Sequence, residues 1–169
     1  MTAIDGGGAM RLDRIWFPII RAGLLTTVLD GIFAGILNTA WHGTFLGEFQ
    51  LIASTVLGPP AMHEGWRSML FGLAMHATIA FTWSTVFALL VVRFRGVQSV
   101  VARRGGVLLA AVGYGTFIWL VMSFAVIPAL VHRPPTLGIH WVELLLGHWF
   151  VVGPTILAGT APLWREESP

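Results

Sequence analysis

Residues 136–160, TLGIHWVELLLGHWFVVGPTILAGT, are long enough to cross a bilayer as one helix, yet they carry two histidines and a glutamate. A membrane-crossing helix needs about 20 mostly apolar residues, and an ionised carboxylate facing lipid is costly. Projected at about 100° per residue, His140, Glu143, Gly147, Val151, Pro154 and Ala158 share a small and polar face. Trp141, Leu145, Trp149, Val152 and Ile156 fall on the opposite, apolar side. The Glu143 face is therefore expected to turn toward protein or a water-filled cavity, with Trp141, Trp149 and Ile156 turned toward lipid or a partner chain.

Three more apolar runs accompany this one, and together they leave no room for a soluble domain. Only 11% of the 169 residues are charged, against about 25% in soluble domains, and mean hydropathy is +0.78. The expected fold is an all-α membrane protein, a four-span antiparallel transmembrane helical bundle with spans at about 22–41, 68–92, 105–130 and 138–161. A mobile cytoplasmic arm (1–13), a single transmembrane domain (14–164) and a short cytoplasmic tail (165–169) complete the division. Arg11 and Arg14 precede the first apolar run as in a signal peptide, but no small-residue cleavage site follows, so a retained first span is expected. Residues 46–60 are too short to span. They read as an interfacial or re-entrant helix stopped by Pro59-Pro60.

Arginine placement sets the orientation. Arg11, Arg14, Arg21, Arg93, Arg95, Arg103, Arg104 and Arg165 lie on one side, and only Arg67 and Arg133 on the other. By the excess of basic residues in cytoplasmic loops, both termini are expected in the cytoplasm. The ten arginines also account for the pI near 10.4. No basic run is interleaved with aromatics as a nucleic-acid groove requires, so no nucleic acid is expected as partner; the partner is the lipid bilayer. The absence of cysteine excludes disulfides, thiolate metal sites and iron–sulfur clusters. No P-loop, GxSxG or strand-to-helix GxGxxG is present, and no catalytic residue is expected.

At about 1.5 Å per residue, Asp30 lies roughly 16 Å, His76 roughly 12 Å and His148 roughly 15 Å below the outer ends of their spans. Glu143 is shallower. All six histidines, with Met62, Met69, Met75 and Met122, fall in the outer half. Two readings of His76 and His148 stay open. They could ligate haem b axially, or hold copper or zinc with Glu143 and Asp30 in support, since imidazole suits all three. Or they could be neutral side chains hydrogen-bonding helix to helix through Asp30, Asn38 or Ser123. No HxxxH or HExxH spacing favours metal. Asp30, a carboxylate in mid-span, is a candidate proton carrier or cation partner. Gly31 and Gly35 beside it suggest close helix packing.

The segments GLAMHATIAFTWSTVFALL around His76, MSFAVIPAL followed by RPP, and HWVELLLGHWF resemble the YagU-like group of small bacterial inner-membrane proteins. The resemblance covers about 68–152 and is most specific at His76, Glu143, Gly147 and His148. It implies a helical protein of the bacterial inner membrane and gives those residues weight without roles.

The expected function is thus a small inner-membrane protein with an outer-half cluster of Asp30, His76, Glu143 and His148 binding haem, a metal ion or protons. A structural or accessory subunit of a larger membrane complex, and a small transporter formed by homo-oligomerisation, are the competing expectations.

Overall fold

The computed structural model describes residues 15–135 and 137–165, and no strand occurs among them. The arm, with Arg11 and Arg14, and residues 166–169 of the tail lie outside the described residues. Four helices are long and apolar enough to cross a membrane: α1 (Trp16–Ala40), α3 (Trp66–Arg93), and the continuous helices Gly106–Val131 and Ile139–Thr160. The chain is a helical bundle of the multi-pass membrane type. The first helix begins at Trp16 rather than near Ala22. Pro18 sits in its first turn, where a missing N–H leaves no intrahelical carbonyl unpaired.

Between α1 and α3 the chain folds α2 (Gly47–Leu57) and a 3-10 turn, Pro59–His63. The Thr44 hydroxyl accepts the Gly47 N–H at 2.9 Å, satisfying one free donor at the start of α2. Gly58, at φ +81°, ends it directly before Pro59-Pro60. Against α3, α2 packs so closely that a Cβ on Gly72 would collide with the Phe49 carbonyl. A short helix, α4 (Arg95–Val101), links α3 to the third span.

Both later spans are interrupted by a wide turn. The third comprises α5 (Gly106–Val121), a π-helical turn at Met122–Val126 and α6 (Ile127–Val131). The fourth comprises α7 (Ile139–Gly147), a π-helical turn at His148–Val152 and α8 (Gly153–Thr160), followed by α9 (Pro162–Arg165). The Ile127 N–H bonds the Met122 carbonyl and the Gly153 N–H the His148 carbonyl, each reaching five residues back. Pro128 and Pro154 come next and have no N–H to offer the Phe124 and Phe150 carbonyls. A wider turn absorbs that loss without breaking the span.

The fourth span has neighbours on two sides. Toward α1, Gly159 meets Ala22, Thr26 and Thr155 share a 2.8 Å hydroxyl bond, Gly147 meets the Phe33 ring, and Trp41 reaches Glu143. Toward α5, a Cβ on Gly115 would strike the His148 carbonyl and one on Gly153 the Ala111 carbonyl. Between helices already in lipid, such close backbone approach and interhelical hydrogen bonding replace the hydrophobic drive.

This packing corrects the expected lipid face. Ile156 is fully buried, Trp149 Nε1 donates to Thr116 Oγ1 at 2.8 Å, and the Trp141 ring lies 4.0 Å from that of Trp119. The side left open carries Ile139, Val142, Leu146 and Phe150, the last 74% exposed. A constant turn per residue failed for two reasons. The helix packs on two flanks, and the π turn shifts the phase of everything after His148.

One end of the bundle is densely filled. Phe87 packs 4.8 Å from Tyr114 and 6.3 Å from Trp164, with Ile19, Val91, Ile118, Ile156 and Leu157 buried around them. The Tyr114 hydroxyl donates to the Trp83 carbonyl at 2.7 Å. Toward the other end, where α2 enters, the packing opens.

Candidate functional site

A cavity of about 220 Å³ occupies that open end, with a wall drawn from all four spans and α2. Asp30 and Phe33 come from α1, Glu48 and Ile52 from α2, and Met75, His76, Ile79 and Trp83 from α3. Ile118 and Met122 come from the third span, and Leu144, His148, Val152 and Ile156 from the fourth. Both π turns contribute to the lining, through Met122 and through His148 and Val152. Wide turns of this kind recur at functional sites because they re-aim side chains that a regular helix would place elsewhere.

His76 is buried on α3, which presents Ser68, Gly72 and His76 in line toward α1 and α2. Its Nε2 lies 3.2 Å from the Thr27 carbonyl and 4.0 Å from Asp30 Oδ2. A carbonyl can only accept, so Nε2 carries the proton and ties α3 to α1. Phe49 of α2 meets the imidazole edge-on at 5.9 Å. The helix-to-helix role weighed from the sequence is thus the one His76 plays, with Thr27 as partner.

His148 behaves differently. Its Nδ1 lies 2.7 Å from the Leu144 carbonyl one turn back, which fixes the proton on Nδ1 and leaves the Nε2 lone pair free. The two histidines line one cavity, although its wall is largely apolar. No three His, Asp or Glu side chains among the described residues are placed to hold a metal ion. The haem expectation also lacks support. His76 Nε2 is engaged by the Thr27 carbonyl, and the cavity falls below the roughly 300–1,000 Å³ of ordinary small-molecule clefts.

Glu143 is not part of the cavity wall. Its Oε2 accepts the Trp41 Nε1 proton at 2.8 Å and lies 3.5 Å from His140 Nδ1, so it clasps the end of α1 to the start of α7. It lies five positions before His148, about 140° around a helix and roughly 7 Å away along the axis. Asn38 and Ser123, named as possible histidine partners, are not used so; Asn38 donates to the Thr44 carbonyl at 2.8 Å. Gly31 and Gly35 do pack closely, but against rings. The His76 imidazole and Phe49 approach Gly31, and Phe45 covers Gly35.

The carboxylate that joins Asp30 is Glu48, half-buried on α2. Burial, and second the nearby charge of Asp30, push its carboxyl up to about 7. The sequence did carry a signal for it: Glu48, Ile52 and Thr55 are spaced as one helical face, and all three line the cavity. An 11-residue helix in a segment too short to span gave no reason to place that face inside.

No family model matches the chain, nor does any curated protein or solved structure.

Proposed function

We propose that this chain is an antiparallel four-span protein of the bacterial inner membrane, of the YagU-like kind, whose cavity takes up and releases protons. Both termini lie in the cytoplasm, α2 rests near the periplasmic surface, and the cavity occupies the outer half. The antiparallel run of the first and fourth spans is supported by the order of contacts, since positions 22, 26 and 33 of α1 and 41 just after it meet 159, 155, 147 and 143. The orientation is supported by the arginine asymmetry.

The single observation that carries the proton reading is the meeting of Asp30, Glu48, His76 and His148 on one mostly apolar cavity. Carboxylates and imidazoles gathered inside a membrane span mark proton or ion pathways, because an isolated charge there is unfavourable. With Glu48 titrating near neutral pH, protons exchange under physiological conditions.

Proton uptake by the purified protein between pH 5 and 8 tests this, read from carboxyl infrared bands. Asp30→Asn and Glu48→Gln should each remove part of the uptake. Unchanged uptake in both variants would end the reading. Reporter fusions test the topology: fusions at the C-terminus and at Gly96 should report cytoplasm, and one at His63 periplasm.

A further inference from the structure

The polar side chains of the cavity wall offer mostly hydrogen-bond acceptors; the indole N–H of Trp83 is the one lining donor without a hydrogen-bond partner among the described residues. Neither the Asp30 nor the Glu48 carboxylate has a hydrogen-bond donor within reach among the described residues; the nearest partner of Asp30 is His76 Nε2, at 4.0 Å. His148 Nε2 presents a lone pair, because Nδ1–H is committed to Leu144. His76 has committed Nε2–H to Thr27, so its remaining nitrogen is also an acceptor. The hydroxyl protons are spent as well. Thr55 donates to the Ile52 carbonyl, Thr155 to the Val151 carbonyl, and Thr26 can then only donate to Thr155.

Between these acceptors the wall is apolar and aromatic, with Phe33 and Trp83 among its members. The space is too large for one water, whose share of the liquid is about 30 Å³, and smaller than a drug-sized cleft. An anion is repelled by two carboxylates, and a bare divalent metal finds no triad of ligands among the described residues. What the wall lacks is a positively charged group bearing several N–H donors, joined to a compact apolar body. Aromatic faces add attraction for such a cation.

We propose that this cavity binds a small organic ammonium ion, its N–H groups shared between Asp30 and Glu48 and its apolar body set against Phe33 and Trp83. The assignment rests on the proton-linked reading of the same site: the cation and the protons compete for the same two carboxylates.

The test uses the full chain in lipid nanodiscs at pH 8, titrated calorimetrically with benzylammonium, benzyl alcohol and benzoate. Benzylammonium should bind, at least tenfold more tightly than either of the others. Asp30→Asn and Glu48→Gln should each weaken it tenfold or more, while Glu64→Gln, an exposed loop carboxylate, leaves it unchanged. Lowering the pH to 5 should weaken binding in the native chain, and the protons displaced when benzylammonium binds at pH 5 should be fewer in either variant. Equal binding of the three compounds, no binding of any, or benzylammonium affinity unchanged in both variants would overturn the proposal. The proton-uptake measurement without ligand separates the two readings. Uptake that depends on Asp30 and Glu48 without amine binding removes only the ligand class, whereas absent uptake removes the proton reading itself. Should Asp30→Asn fail to fold by circular dichroism, Glu48→Gln and the pH dependence still decide.

Discussion

The two ends of this bundle solve one packing problem in opposite ways. Around Phe87, Tyr114, Ile156, Leu157 and Trp164 the spans close on each other, with rings in contact and hydroxyls paired. Around Asp30, His76 and His148 the spans leave a cavity between them, although the third and fourth still touch where Gly115 meets the His148 carbonyl, and α2 is drawn in to cover the gap. Toward the closed end Gly153 and Gly159 admit another span's backbone, while Gly23 takes the Phe81 ring. At the open end Gly31 and Gly35 admit rings, and Gly72 admits the backbone of α2. The open end keeps a cavity, and ionisable groups line it.

The sharpest way to break this contrast is to remove side chains from each end. Phe87→Ala should cost about 2–3 kcal/mol, a cavity penalty without the full transfer term, because the unfolded reference is also in the membrane. Ile79→Ala, which already borders empty space, should cost under about 1 kcal/mol. Equal losses, measured by denaturation in mixed micelles, would show that the open end is packed in solution.

A second expectation comes from Glu48. Its carboxyl titrates near 7 in the folded protein against an ordinary value of 4.5. Between those values the folded state holds a proton that the unfolded chain has released, so stability is greatest below about pH 4.5 and falls as pH rises through 7. At this chain length each kcal/mol moves Tm by roughly 2–4 °C. Glu48→Gln should flatten the fall in Tm between pH 4.5 and 8. An unchanged slope would place Glu48 in solvent rather than on the cavity.

The smallest effect belongs to the clasp at the rim. Trp41→Phe removes the bond to Glu143 and should cost about 0.6 kcal/mol, the ordinary worth of an interhelical hydrogen bond in a membrane protein. It should leave the Glu48 slope intact, because Glu143 is absent from the cavity wall. A shift in that slope would couple clasp to cavity.

Hydropathy alone located the four helices long and apolar enough to span, because a run of some 20 apolar residues is most stable in a bilayer. The sequence also singled out Asp30, His76 and His148, because ionisable side chains at mid-span are rare and costly. Which of them meet was set by how the helices pack. Helical periodicity sorted Glu143 with the buried face and Ile156 with the lipid face, and the two-sided packing and π turn of the fourth span reversed the second assignment. Glu48 entered the site only through the docking of α2 on Gly72, an approach between segments that no local spacing encodes. Hydropathy is a property of each residue against lipid, and one chain displays it. The hand-over of Glu143 to Trp41 and of Glu48 to the cavity depends on distances between helices, which the packing of all four spans sets together.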